Sequence, residues 1–150
     1  AYLDGEYINN ATNKIEIYQR IAAIRTDEHA DQLEEELIDR FGALTEPVKK
    51  IMQVARLKNY ARKLKIKSII EKPAFVEIFF DKAQNIEPEN MLLAKKQFDN
   101  LLKFVPKQNT IQIKITPINK KHIINLCLKV VKVLTGEKLQ KMTLKKEEKK

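Results

Sequence analysis

The chain has 150 residues, of which 29 are Lys or Arg and 20 are Asp or Glu, so its formal net charge is +9. This length suits one ordinary domain with a buried core, and an apolar fraction of 43% with three Gly and five Pro argues against a disordered or fibrous chain. The single cysteine, Cys127, excludes an internal disulfide and a multi-thiolate metal site, and no apolar run reaches the length of a membrane-spanning helix. Because the start of the chain lacks an initiator Met and a signal peptide, we expect a cytoplasmic piece of a longer protein with no membrane partner.

The charge is divided unevenly along the chain. Residues 1–45 contain ten acidic and four basic residues, a net charge of −6, whereas residues 46–150 have a net charge of +15. Such asymmetry indicates interaction surfaces. Of the 29 bases, 24 are Lys, whereas nucleic-acid recognition usually relies on Arg. A plain solubility surface is therefore the alternative explanation for the basic part.

The first part of the chain predicts about three helices. Residues 1–12 have the pattern of an extended lead-in, and Asn13 begins a capping box with the glutamate three positions later. Thr26 is the predicted N-cap of a second helix, which ends at Gly42. Thr45-Glu46-Pro47 begins a third helix, because a proline in the first turn loses no hydrogen bond. The apolar stripe of the second helix consists of Ala30, Leu33, Leu37 and Phe41.

The second part predicts strands and two further helices. Residues 66–70 and 75–80 are rich in β-branched and aromatic residues and predict antiparallel neighbours, and the alternation over 111–115 predicts a third strand. One helix begins at Pro88, and another is capped by Asn119. The apolar residues assigned to the helix from Pro88 are Met91, Leu92, Phe98, Leu101 and Leu102, and the last helix ends at Gly136.

This segregation of helices and strands indicates an α+β fold. We expect an N-terminal helical half of about three helices, followed by a small, about three-stranded, mainly antiparallel sheet covered by two helices. A single domain over 13–136 is expected, with a charged and disordered tail over 137–150, where six Lys and three Glu occur.

The sequence lacks the residue motifs that are typical of enzyme active sites. The three glycines are far apart, Ser68 is the only serine, and His29 and His122 lack companion ligands. Cys127 lies in an apolar stretch, where a cysteine acts as a small hydrophobe. We therefore expect a non-catalytic binding protein without a cofactor or metal, monomeric as a fragment.

An acidic surface on the second helix is the first candidate site. Glu36 and Asp39 are three positions apart and share a face beside the apolar stripe, and Glu35 lies about 100° round the helix from Glu36. Arg40 can pair with either acid. A carboxylate pair of this kind suits arginines on a partner, with a merely solvated face as the alternative.

A basic row along the third helix is the second candidate site. Lys49, Arg56 and Lys63 recur every seven residues, and Arg62 adjoins them. Such a row can follow phosphates by counterion release, so a Lys-rich nucleic-acid-binding module is the alternative function.

Six segments resemble the C-terminal domain of the bacterial transcription-repair coupling factor family. The similarity is strong over residues 7–70, weaker over 71–136, and has no counterpart beyond 137. The segments are Tyr7–Asn10, Lys14–Ile21, Glu36–Gly42, Pro47–Val48, Ala55–Lys58 and Ala61–Ile66.

The resemblance implies a regulatory domain. Family members are large ATP-driven DNA translocases that displace stalled RNA polymerase and recruit UvrA in nucleotide excision repair. Their C-terminal domain packs against an N-terminal module resembling UvrB and covers the surface that UvrA uses. Carried over to this chain, the resemblance implies that Glu36 and Asp39 contact arginines of that module, that Glu35 flanks the contact, and that DNA is reached through the parent protein.

Overall fold

The computed structural model describes residues 11–81 and 86–136, with side chains from residue 14 onward. Contacts within the chain divide it into two compact units, Ala1–Asn59 and Tyr60–Lys150. Helices make up the first unit, whereas the second contains the sheet, so the predicted α+β class is confirmed. The single domain over 13–136 stays a prediction, and the tail over 137–150 lies outside the described residues.

Three helices form the first part of the fold, as predicted: α1 (Ala11–Ala22), α2 (Asp27–Phe41) and α3 (Glu46–Lys63). Because α1 begins at Ala11, residues 11 and 12 are helical and Asn13 lies inside the helix, so the predicted extended segment and cap are wrong at these positions. No Gly or Pro stands between Ala11 and Asn13 to delay the helix. The rest of the predicted lead-in, residues 1–10, lies outside the described part.

Both ends of α2 have the predicted caps. The Thr26 hydroxyl accepts a hydrogen bond from the His29 backbone N–H at 3.0 Å. Gly42 has φ +87°, a conformation that glycine adopts without strain, and its N–H donates to the Ile38 carbonyl at 2.8 Å. The caps end the helix on either side of its apolar stripe.

The core of the helical unit is built from one face of each helix. In α2, Ala30, Leu33 and Leu37 are buried, and Phe41 packs against the cluster while partly exposed. Burial of this stripe sets the rotation of α2 about its axis, which turns the intervening acids outward. The full buried cluster is Ile17, Ile21, Ile24, Ala30, Leu33, Leu37, Leu44, Val48, Met52 and Ala55.

The sheet in the second unit has four antiparallel strands in the order β1-β2-β4-β3. The three predicted strands are confirmed, and the fourth was not predicted. The strands are β1 (Ile66–Glu71), β2 (Phe75–Phe80), β3 (Leu102–Val105) and β4 (Thr110–Lys114).

The unpredicted strand β3 begins where the sequence suggested continued helix. Helix α4 (Pro88–Phe98) stops because Asp99 takes φ +48°, in the left-handed region. Lys95 then donates from Nζ to the carbonyls of Asp99 at 3.0 Å and Leu102 at 2.5 Å. Leu102 was predicted to lie in a helix. It is instead a buried residue of β3, where it pairs with Ile113 of β4.

Helix α5 (Ile123–Thr135) begins later than predicted. The side chain of Asn119 closes the preceding turn instead of capping α5, because Oδ1 accepts from the Thr116 N–H at 2.8 Å and Nδ2 donates to the Lys114 carbonyl at 2.9 Å. Gly136 ends α5 at φ +83°, as expected. Helix α4 contacts both α5 and β3. None of the described helices has the length and apolar character needed to cross a bilayer.

The sheet contains one buried carboxylate, that of Glu77 on β2, which is 6% exposed. Lys72 Nζ lies 2.8 Å from Glu77 Oε1, and Gln112 Nε2 donates to Oε2 at 3.3 Å. These hydrogen bonds, that of Lys72 foremost, hold the pKa of Glu77 below its ordinary value.

Replacing Leu37 by Ala should destabilise the fold by about 2–5 kcal/mol, because Leu37 is fully buried and its loss leaves a cavity. The adjacent Ile38→Ala is the matched control. Ile38 is 44% exposed, so its truncation should cost about 1 kcal/mol or less. Urea unfolding of both variants measures the difference, and equal losses would contradict the assigned rotation of α2.

Replacing Glu77 by Gln should lower stability at neutral pH and have a vanishing effect in acid. The folded pKa lies below the unfolded one, so the ionised carboxylate stabilises the fold above the unfolded pKa. That contribution disappears as the pH falls through the folded pKa. Melting temperatures of the parent and Glu77→Gln should therefore converge on acidification, and Glu89→Gln, at an exposed position, is the control for the loss of a surface carboxylate.

Candidate functional site

The outward side of α2 has three carboxylates close together, which we call the acidic face: Glu35, Glu36 and Asp39. Glu35 and Asp39 are exposed to solvent, and the Glu36 side chain is 40% exposed. They point away from the core because Leu33 and Leu37, on the same helix, are buried. The two principal acids predicted from the sequence thus lie on one accessible surface.

The carboxylate of Glu36 forms ion pairs with two arginines of the same chain. Arg20, in the last turn of α1, donates from Nη2 to Oε1 at 2.9 Å and from Nη1 to Oε2. Arg40 Nη1 lies 3.8 Å from Oε2, so one of the predicted partners of Arg40 is found. The hydrogen bond from Arg20 is the main cause that lowers the pKa of Glu36, and Glu36 is therefore ionised at neutral pH.

Asp39 and Glu35 differ from Glu36 in their bonding. Neither side chain forms a hydrogen bond or ion pair within residues 11–81 and 86–136. Between them, one turn of helix also presents Ile38, an exposed apolar side chain. The acidic face therefore offers two available carboxylates beside an apolar contact, the mixture found in small protein interfaces.

Arg20 contacts this surface, although no sequence motif indicated it. It lies 16 positions before Glu36 and on another helix. The sequence contains only a general signal, namely that Arg20 is one of five arginines in a Lys-rich chain. Its choice of partner depends on how α1 packs on α2, which periodicity does not specify.

Arg56, the central member of the predicted basic row, forms ion pairs with three acids of α2. Arg56 Nη1 lies 3.1 Å from Asp27 Oδ1, and Nη2 lies 2.7 Å from Asp31 Oδ1 and 3.2 Å from Glu34 Oε2. Burial acts to lower the pKa of Arg56, but the hydrogen bond and charge of Asp31, reinforced by Asp27, outweigh it and raise the pKa. With a side chain only 13% exposed and three carboxylates around it, Arg56 forms ion pairs within the helical unit, and its assignment as a phosphate contact stays a prediction.

The other members of the row are placed differently. Lys49 Nζ lies 3.4 Å from Glu46 Oε1 on the same exposed turn. Lys63 lies over the Tyr60 ring, with Nζ 5.2 Å from the centroid, and Arg62 is exposed. Phosphate binding by these three residues, together with Arg56, stays a prediction.

The residues considered for metal or thiol chemistry do not assemble into a site. Within the described ranges, no three His, Cys, Asp or Glu side chains are grouped so as to hold a metal ion. Cys127 is buried, and burial is the main cause that raises its pKa to about 12, so the thiol stays protonated.

Comparison with known proteins decides the family. Residues 1–91 match the model of the TRCF domain. The chain belongs to the TRCF domain family. The resemblance inferred from the sequence motifs is thereby confirmed, and the match includes α1, α2, α3 and the acidic face.

Relatives of this TRCF domain are transcription-repair-coupling factors. That of Borreliella burgdorferi is 29% identical over 134 residues, 89% of this chain and 12% of that protein. Those of Escherichia coli and Bacillus subtilis are 34% identical over 67 residues and 36% identical over 69 residues, in each case 6% of the relative's length. The chain therefore corresponds to a small part of each of these relatives.

A solved structure has the same fold as this TRCF domain. The crystal structure of the C-terminal domain of a transcription-repair coupling factor superposes with a TM-score of 0.79, covering 94% of this chain and 90% of that one, at 24% identity. The match confirms the α+β architecture.

Replacing Arg56 by Ala should destabilise the domain, because it leaves Asp27, Asp31 and Glu34 without their shared cation. We expect a loss of about 2–3 kcal/mol, less than for a fully buried pair because Asp31 and Glu34 remain partly exposed to water. Urea unfolding measures the loss, with the exposed Lys58→Ala on the same helix as the control. A phosphate-binding role for Arg56 instead requires weakened DNA binding at unchanged stability.

Proposed function

We propose that this TRCF domain is a non-catalytic regulatory module that docks, through the acidic face of α2, on the UvrB-like N-terminal module of its own full-length protein. Docking covers the surface used by UvrA until the protein engages stalled RNA polymerase. The parent protein is a cytoplasmic ATP-dependent DNA translocase of transcription-coupled repair. Family membership supports this proposal.

The observation that carries the proposal is the exposure of Asp39 and Glu35 without partners in the described part of the chain. Carboxylates that are solvated and held on a rigid helix need no rearrangement before they bind arginines, and bidentate pairs define the docking geometry. The net charge of −6 over residues 1–45 attracts a basic partner from a distance, although the whole chain has a charge of +9.

A modest interface is sufficient for this regulation, because the two modules share one chain. Tethering gives an effective concentration of roughly 1 mM, so an intrinsic dissociation constant of ~10 µM keeps about 99% of molecules closed. The closed population then weakens UvrA binding about 100-fold. A small polar contact surface also permits release, as the regulated step requires.

Reversing both principal charges tests the proposal. In the full-length protein, Glu36→Lys combined with Asp39→Lys should open the closed state and increase the apparent affinity for UvrA, by up to about 100-fold, in the absence of RNA polymerase. The measurement is UvrA capture by the purified full-length variant.

The matched control is Glu28→Lys with Glu89→Lys, which changes the net charge equally at exposed positions of α2 and α4 that belong neither to the acidic face nor to the charges acting on Arg20. The control should leave UvrA capture near that of the parent. If the test variant melts normally and captures no more UvrA than the parent does, the docking assignment is wrong.

A further inference from the structure

The acidic face contains its own cation at Glu36. Arg20 occupies both carboxylate oxygens through a two-fold guanidinium contact, and Arg40 lies within 4 Å of one of them. One negative charge thus faces two positive charges, whereas Asp39 on the next turn has no such neighbour within the described residues. The three acids of one surface are therefore unequal in the charge that they offer to a partner.

An incoming arginine cannot repeat the Arg20 geometry while Arg20 is in place. A bidentate arginine needs both oxygens of a carboxylate along one edge, and Arg20 already donates to both. Direct engagement of Glu36 in this manner thus requires one guanidinium to leave as another arrives. Asp39 can accept a partner arginine without any displacement.

Such an exchange is possible without opening the core. The side chains of Arg20 and Glu36 are 37% and 40% exposed, so solvent and a partner reach the pair. The packing of α1 on α2 depends on other residues, among them Ile17, Ile21 and Leu33, which are buried. Arg20 can therefore rotate away while the helices stay packed.

We infer that Arg20 is an internal competitor for Glu36, which sets the strength of docking on an arginine-bearing surface. The inference rests on the proposed function and assigns different roles in docking to Asp39 and Glu36. Asp39 makes the first contact, and Glu36 contributes only the difference between its pair with the partner and its pair with Arg20. Because the Arg20–Glu36 ion pair is replaced by a similar ion pair with a partner arginine, the net gain in binding free energy is small. The closed state therefore stays weak enough to open.

Removal of the competitor should strengthen docking, which is opposite in sign to the loss of the acids. In the full-length protein, Arg20→Gln should weaken the apparent affinity for UvrA about two- to fivefold, the range expected from a solvent-exposed ion pair. Arg25→Gln is the control, since Arg25 also lies before α2 but donates to the carbonyls of Ala22 and Ile24 and not to Glu36.

A double-mutant cycle separates competition from a general charge effect. When Glu36 is already Gln, the further change Arg20→Gln should leave UvrA affinity unchanged. Thermal melts confirm that each variant is folded, and Arg20→Lys, which keeps the charge but loses the two-fold contact, should give an intermediate effect.

Other outcomes overturn the inference. If Arg20→Gln increases UvrA capture in a folded protein, Arg20 positions Glu36 for docking instead of competing for it. No change, or an equal change with Glu36→Gln present, also contradicts competition. If the Glu36→Lys/Asp39→Lys variant has no effect either, the proposed function itself fails, which distinguishes the two results.

Discussion

Helix α2 has to bury one face, and the arrangement of the helical unit depends on this. Ala30, Leu33 and Leu37 are almost completely removed from solvent in the cluster formed with α1 and α3. Because the apolar contacts are close-packed, α2 cannot rotate about its axis without opening cavities. The directions of all its acids follow from this packing, including those on the opposite side of the helix from the core.

Helix α2 has seven acids among its 15 residues. Two arginines from neighbouring helices pair with some of these acids and leave the others unpaired by them. Arg56 of α3 neutralises a group of three, Asp27, Asp31 and Glu34, and Arg20 of α1 neutralises Glu36. These pairs help to hold the helices together and at the same time decide which carboxylates remain for a partner. Stability and recognition thus depend on the same charges, and within the described residues the internal pairs leave Glu35 and Asp39 of the acidic face available.

Most helices and strands were predictable because their signals are local. The Thr26 cap, the glycine ends at Gly42 and Gly136, and the strand alternation over 111–115 need only near neighbours. The errors occurred where local signals compete. Asn119 is a good cap in isolation, but its side chain is used by the turn after β4. Likewise, Leu102 continues a helical apolar pattern, yet pairing with Ile113 across the sheet places it in β3.

By itself, the sequence determined the α+β class, the acidic helix with its buried stripe, and the motifs that indicated the TRCF family, because composition, periodicity and caps act over a few residues. Only the tertiary structure decided the roles of the arginines. Arg56 is separated from its acids by 22 to 29 positions and Arg20 from Glu36 by 16, so these contacts exist only once the helices are packed. The same packing surrounds Arg56 with three acids of α2 and brings Arg20 to Glu36 of the acidic face. Ion pairs between helices depend on the crossing of two helix axes, which is a property of the assembled core and not of either segment.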